Sequence, residues 1–215
     1  DSGATDIPLI EQTIGDNLNE TVARFGDNDA LVVDHQGIRQ SWTEFNTSVD
    51  AVAKGLMAYG IEKGDRVGMW SPNYAEWIYV QFATAKIGAI QVNINPAYRT
   101  SELEYAMNQS GCKMLVTRTE YLTSAYQDMV EQVRSNCADL EHVVYFDTND
   151  WAELLAAGES ISDQGLSARM ALLDPNDAIN IQYTSGTTGF PKGATLSHRA
   201  ILNDAKFVGM MCDYD

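Results

Sequence analysis

The chain has 215 residues, a formal net charge of −16, and an apolar fraction of 45%. That apolar fraction is large enough to form a hydrophobic core, so the composition excludes a disordered tail. The negative charge excludes nucleic acid and anionic membranes as default partners, and any anion-binding site must depend on local groups.

The cysteines and the hydropathy pattern predict the compartment. Cys112, Cys137 and Cys212 are too few and too widely spaced for a disulfide framework or a zinc site. No apolar run reaches the roughly 18 residues of a transmembrane helix, and residues 1–10 lack the features of a signal peptide. We therefore predict a cytoplasmic protein with reduced cysteines.

The N-terminal part predicts a hairpin followed by a helix. Residues 30–42 are two short apolar stretches around a His35–Gly37 turn, which is typical of a β-hairpin. The next segment places apolar residues at helical spacing, with Thr43 as the predicted N-cap and Gly60 as the end.

From residue 66 onwards, apolar strands alternate with helices. Ser71 with Pro72 predicts one helix start, a capping box from Ser101 to Glu104 predicts a second, and a third helix is expected over 119–135. This alternation predicts an α/β fold with a mainly parallel sheet. The predicted strands are 66–70, 89–95, 113–117, 142–146, 178–183 and 193–197. The polar segment 158–176 is predicted to be a surface connection.

Residues 182–198, QYTSGTTGFPKGATLSH, combine hydroxyl residues, glycines and one lysine. Neither the Walker pattern nor G-x-G-x-x-G fits: Pro191 occupies the sixth position counted from Gly186, and a strand follows the loop where those motifs have a helix. Glycines turn backbone N–H groups inward, hydroxyls donate to oxyanions, and Lys192 adds a charge. We interpret the loop as a phosphate site and reject the alternative of a solvated turn.

His198 and Arg199 follow this loop and invite a catalytic interpretation. We favour a structural one, in which Ser197 caps a helix and both side chains lie in its first turn.

The loop resembles the signature of the acyl-adenylate-forming (AMP-binding) enzymes, Y/F-T-S-G-T-T-G-x-P-K-G, over residues 183–193. The stretch from Lys86 to Pro96 and the sequence GATLSH after the loop look closest to fatty-acyl-CoA synthetases. The resemblance implies a doubly wound layered sheet with helices on both faces. It also implies a hairpin and helix over 1–60 that belong to a second subdomain, a first α/β subdomain over 61–215, and a small C-terminal domain beyond this chain.

The activity implied by the resemblance is that of an ATP-dependent fatty-acid–CoA ligase, which forms an acyl-adenylate and pyrophosphate and then acyl-CoA and AMP. The expected ligands are a hydrophobic carboxylic acid, ATP, Mg²⁺ and coenzyme A, and Thr184 is expected near the Mg²⁺. The residues expected to hold the ATP phosphates are Thr184, Ser185, Gly186, Thr187, Thr188, Gly189 and Lys192.

The resemblance also implies that the catalytic lysine, the acidic Mg²⁺ ligand and the ribose-binding aspartate lie downstream of residue 215, so this chain alone is expected to be inactive. Two alternatives stay open: a non-catalytic nucleotide-binding or assembly module, and another adenylate-forming enzyme, either luciferase-like or specific for amino acids. We also expect the hairpin to lack sheet partners and to expose an edge that forms a homodimer.

Overall fold

The computed structural model describes residues 7–184 and 191–212. No helix in these two ranges combines the length and the hydropathy needed to cross a membrane. In chain order the elements are α1 (Ile14–Phe25), β1 (Asp29–Val33), a 3₁₀ turn (Asp34–Gln36), β2 (Ile38–Ser41), α2 (Trp42–Ala58), β3 (Arg66–Trp70), α3 (Ala75–Ile87), β4 (Ile90–Ile94), α4 (Thr100–Ser110), β5 (Cys112–Thr117), α5 (Tyr126–Arg134), β6 (His142–Tyr145), α6 (Asn149–Gly158), α7 (Asp163–Met170), β7 (Ala178–Thr184), β8 (Lys192–Ser197) and α8 (His198–Met211).

Six strands form one mixed sheet in the order β6-β5-β3-β4-β7-β8. Strands β3 to β7 are parallel, and β8 returns antiparallel to β7. The chain leaves β3 through α3 to β4 on one side, then crosses through α4 to β5 on the other side of β3. The predicted doubly wound α/β fold is confirmed, and all parallel strands end at the same edge of the sheet.

Each face of the sheet is covered by its own helices. On one face Val67 and Met69 of β3 pack in a core that α1, α2, α3, α6 and α7 complete. On the other face Trp70 and Leu115 pack against α4 and α5, and the indole of Trp70 stacks on Tyr126 with ring centroids 4.0 Å apart. The apolar strands are therefore buried on both sides, as expected for a parallel sheet.

The N-terminal hairpin is a separate two-stranded sheet. Strands β1 and β2 pair only with each other among the residues that the structure describes. The hydroxyl of Tyr79 on α3 donates to Gln40 Oε1 at 2.9 Å, and apolar side chains of both hairpin strands pack on the core. The hairpin thus lies against α2 and α3 without joining the larger sheet.

The prediction that Thr43 caps α2 is wrong, because the helix starts earlier. The hydroxyl of Ser41 accepts the N–H of Glu44 at 3.3 Å, and the carboxylate of Glu44 accepts the N–H of Ser41 at 2.8 Å. These two bonds form a complete capping box. Thr43 instead donates its hydroxyl to the carbonyl of Gly26.

The start of α3 also differs from the prediction at Ser71 and Pro72. Tyr74 is at the N-cap position, and the first free N–H of the helix, that of Ala75, donates to Gln36 Oε1 at 2.7 Å. Ser71 uses its hydroxyl on the carbonyl of Pro72. The cap comes from a hairpin residue 39 positions away, so it cannot be predicted from the sequence around the helix start.

Two further helix starts are displaced from the predicted ones. At α4 the N–H of Arg99 donates to Glu102 at 3.1 Å, whereas Glu104, the predicted partner of Ser101, accepts from Asn136. Helix α5 begins only at Tyr126. Before it, the N–H and the hydroxyl of Thr119 both donate to the carboxylate of Asp147, and Tyr121 pairs with Ser124 in a tight turn.

The segment predicted to be a surface connection over 158–176 contains helix α7. Ser162 caps it by accepting the N–H of Gly165, and Leu166 is buried. Only one apolar side chain per helical turn faces the core here. The sequence of this segment therefore lacks the apolar periodicity by which a helix is predicted. Helix α6, capped by Thr148, was not predicted either.

The buried side chain of Lys86 connects helices α1, α2 and α3. Its side chain is 1% exposed, and its ammonium group donates to Asp50 at 2.6 Å, Asn46 at 2.7 Å and Asn19 at 3.2 Å. All three donors of the ammonium are thereby used, which compensates for the removal of a charge from water. The contacts connect α3 to α1 and α2.

Replacing Lys86 with methionine should keep the volume but leave Asp50 without its cation. We expect the free energy of unfolding to fall by about 2–4 kcal/mol, measured by urea denaturation followed by circular dichroism. The matched control is Lys54→Met, which removes a pair to the exposed Asp163 and should cost no more than about 1 kcal/mol. Equal losses in the two variants would contradict the role assigned to Lys86.

Candidate phosphate-binding site

The predicted phosphate loop connects two antiparallel strands at the carboxyl edge of the sheet. Thr184 ends β7, Lys192 begins β8, and the two residues face each other as register partners. The hydroxyl of Thr184 lies 3.4 Å from the carbonyl oxygen of Lys192. The strand predicted after the loop is confirmed, so Lys192 lies on a strand and not at a helix N-terminus.

Of the predicted phosphate ligands, the structure describes Thr184 and Lys192. The remaining ones, Ser185, Gly186, Thr187, Thr188 and Gly189, lie outside the described residues. Their assignment stays a prediction.

Lys192 differs from the other lysines in its surroundings. Each of the others has a carboxylate or carbonyl oxygen within 3.1 Å of its ammonium nitrogen. Within residues 7–184 and 191–212, Lys192 has no such partner, and it is exposed. In a protein of net charge −16, an unpaired ammonium beside a glycine-rich loop is available to an anionic ligand.

Two tyrosines hold the two stems of the loop on helix α4. The hydroxyl of Tyr183 donates to the carbonyl of Ala106 at 3.1 Å, and that of Tyr105 donates to the carbonyl of Pro191 at 3.2 Å. Burial raises the pKa of Tyr183 to about 12, so its hydroxyl stays protonated and can donate. The motif itself contains Tyr183, whereas Tyr105 was missed, since nothing in the local sequence connects α4 to the loop.

Thr184 is the residue that the sequence places near the Mg²⁺. The hydroxyl of Thr184 is an oxygen ligand of the kind that Mg²⁺ prefers. Among the described residues there is no cluster of three acidic, histidine or cysteine side chains that could hold a metal ion.

A polar cleft of about 260 Å³ lies next to the loop, where β3, β4 and β7 end. Its walls include Asn73, Trp77, Asn93, Asn95 and Gln182. Ligand sites of doubly wound sheets lie at this edge, so the cleft and the loop together occupy the expected position.

The structural interpretation of His198 and Arg199 is confirmed. Ser197 caps α8 by accepting the N–H of Ala200, and Arg199 pairs with Glu11 at 2.9 Å. His198 is fully buried, and its Nδ1 accepts the N–H of Ile14 at 3.1 Å. Burial is the main reason that the pKa of His198 falls from 6.5 to about 4, although Asp177 opposes the shift.

Comparison with known proteins identifies related sequences and folds. The family profile described as AMP-binding enzyme matches residues 18–215. The chain is 40% identical to proteins named mitochondrial medium-chain acyl-CoA ligase ACSF2 from Danio rerio, over 99% of this chain and 38% of that one, and from Mus musculus, over 96% and 37%. It therefore spans about two fifths of these relatives.

Among solved structures, a long-chain-fatty-acid-CoA ligase from Archaeoglobus fulgidus, FadD1, is similar in fold. The TM-score is 0.83 at 22% identity, covering 100% of this chain and 42% of that one. At this identity the comparison supports the fold alone.

The buried His198 gives the stability a defined pH dependence. The unfolded chain binds a proton on this imidazole below pH 6.5, and the folded chain only below about pH 4. The contribution of His198 to stability is therefore fully present above pH 6.5 and is lost as the pH falls through this interval. The loss should reach roughly 3 kcal/mol near pH 4. Urea denaturation at several pH values measures it.

His198→Asn is the control, since an asparagine carbonyl can still accept the N–H of Ile14 but does not titrate. The difference in unfolding free energy between the unsubstituted protein and the His198→Asn variant should shrink as the pH falls from 6.5 to 4. A difference that stays constant over this interval would refute the assignment.

Proposed function

Because the chain belongs to the AMP-binding enzyme family, we propose that it is part of an ATP-dependent acyl-CoA ligase. The whole protein joins a carboxylic acid to ATP, releases pyrophosphate, and transfers the acyl group from AMP to coenzyme A. The names of the relatives support a medium-chain or other fatty acid as the substrate. The observation that carries the proposal is Lys192, which faces Thr184 at the carboxyl edge of the sheet and has no acidic partner among the described residues.

The chemistry of the first step explains why such a group is needed. An anionic carboxylate must approach the α-phosphate of a polyanion, and pyrophosphate must leave. In the proposed site Lys192 neutralises the β- and γ-phosphates, and the hydroxyls and N–H groups of residues 184–189 orient them. The tyrosine contacts to α4 keep both ends of the loop at a fixed distance from the sheet edge.

The remaining ligands and the compartment belong to the same proposal. Coenzyme A is the acyl acceptor, Mg²⁺ accompanies the nucleotide, and the chain 1–215 alone does not turn over. The predicted cytoplasmic location remains a prediction, and the two relatives reported above are named as mitochondrial.

The domain division and the homodimer also remain proposals. The separate sheet of the hairpin supports a boundary near residue 60, although Phe45 and Val49 of α2 share one core with β3 and α3. Val32 of β1 is 51% exposed, which supports an edge that another copy can cover.

Removing the ammonium group of Lys192 tests the proposal. In the full-length natural protein, Lys192→Ala should slow carboxylate-dependent ATP–pyrophosphate exchange at least about 100-fold, because the charge on the leaving pyrophosphate is no longer compensated. Lys206→Ala removes the same charge from α8, outside the site, and should leave the exchange rate unchanged. Equal rates in the Lys192 and Lys206 variants would refute the role of Lys192. Nucleotide binding without any exchange would favour the non-catalytic module.

The metal contact has its own test. Thr184→Val keeps the shape of the side chain but removes its oxygen, so the Mg²⁺ concentration for half-maximal exchange should rise roughly 10- to 100-fold. Thr184→Ser retains the oxygen and should remain close to the unsubstituted protein. A valine variant with an unchanged Mg²⁺ requirement would remove Thr184 from the metal site.

A further inference from the structure

On the face of the sheet that helix α3 covers, the side chains are apolar on β3 and polar on the neighbouring strands β4 and β7. Parallel register aligns residues of β3, β4 and β7 in rows, and members of a row point to the same face. In two successive rows β3 supplies an apolar side chain, whereas β4 and β7 supply carboxamides. The rows are Val67–Gln91–Asn180 and Met69–Asn93–Gln182.

The first of these rows, Val67–Gln91–Asn180, is the inner row. It contains two carbonyl oxygens that accept no hydrogen bond from the described residues. Gln91 is 0% exposed and Asn180 is 2% exposed. Neither Gln91 Oε1 nor Asn180 Oδ1 has a partner within the described parts of the chain. Buried polar atoms are paired with protein or with ordered water in nearly all folded proteins, so these two acceptors require an explanation.

Exchanging the oxygen and nitrogen of these amides does not remove the difficulty. The NH₂ group of Gln91 donates to Asn93 Oδ1 at 2.8 Å, and that of Asn180 approaches the same oxygen at 3.5 Å. Rotating either amide by 180° would place two carbonyl oxygens against each other. Rotating all three amides together would pair the two oxygens with Asn93 but would leave the NH₂ groups of Gln91 and Asn180 in the same buried positions without acceptors. In the orientations that the structure records, a small bound donor satisfies the two carbonyl oxygens.

The inner row is continuous with the cleft beside the phosphate loop. Asn93 and Gln182, the outer row, both line that cleft. Consecutive residues on one face of a strand are about 6.5–7 Å apart, which is a distance that one or two water molecules span. Asn93 contacts both inner amides and the cleft, so it is the connection between them.

We propose that ordered water binds the carbonyls of Gln91 and Asn180 and continues through Asn93 into the cleft at the ends of β3, β4 and β7. The ligand of this inner site is water, a small neutral hydrogen-bond donor. The cleft wall is consequently a hydrated surface that suits an uncharged hydrogen-bonding group better than an alkyl chain. This inference does not depend on the reaction proposed above.

A crystal structure of the full-length natural protein, at a resolution that shows ordered solvent, tests the proposal directly. The expected result is a water oxygen within about 3.2 Å of Gln91 Oε1 and another, or the same one, within that distance of Asn180 Oδ1. A dry interior, or amides refined in orientations that pair both oxygens with protein donors, would overturn it.

A stability measurement gives an independent answer through the sign of the change. Asn180→Leu keeps the approximate size of the side chain. The substitution also removes the NH₂ contact to Asn93, which at 3.5 Å is at the limit of a hydrogen bond. The carbonyl therefore decides the sign: removing a dry, unpaired carbonyl would stabilise the protein, whereas removing one that binds water breaks a satisfied network. We expect the thermal midpoint to fall by about 2–4 °C, and a midpoint that rises would contradict the proposal.

Two further variants complete the experiment. Asn108→Leu changes an exposed carboxamide on α4 and should leave the midpoint nearly unchanged. The double variant Gln91→Met with Asn180→Leu should lose less than the sum of the two single losses, because both residues belong to one hydrated network around Asn93. Additive losses would contradict a continuous water network through Asn93.

Discussion

The pairing of β7 with β4 determines where everything in the candidate site lies. Only three register pairs, from Gln91 with Asn180 to Asn93 with Gln182, join these strands, across nearly ninety residues of chain. Through them the β7–β8 hairpin becomes part of the central sheet, and its loop meets the carboxyl ends of β3 and β4.

The electrostatic situation of the site follows from the same placement. The protein carries a large negative charge, and its other lysines are engaged by carboxylates or carbonyls. Lys192 begins an edge strand whose first residues are exposed, so within the described chain no acidic side chain neutralises it. A polyanion is therefore attracted at this point of the surface and repelled over most of the remainder.

Buried polar groups occur where elements far apart in sequence must meet. Lys86 joins α1, α2 and α3, His198 joins the start of α8 to the start of α1, and carboxamides line the seam between β4 and β7. A misplaced element would leave such groups unpaired, which costs more than a misplaced apolar contact. These groups therefore favour one arrangement of the helices around the sheet.

The sequence by itself determined the α/β alternation, the strand positions, the loop and its family, because side-chain periodicity and the motif are local properties of the chain. It placed Ser197 correctly as the cap of α8, but not the caps of α2 and α3. The cap of α3 comes from Gln36 of the hairpin, and the stem of the loop is held by Tyr105 of α4. The lack of an acidic partner for Lys192 within the described ranges and the amide rows also depend on strand order and register. Such contacts exist only once distant segments have come together, so the tertiary structure alone decided them.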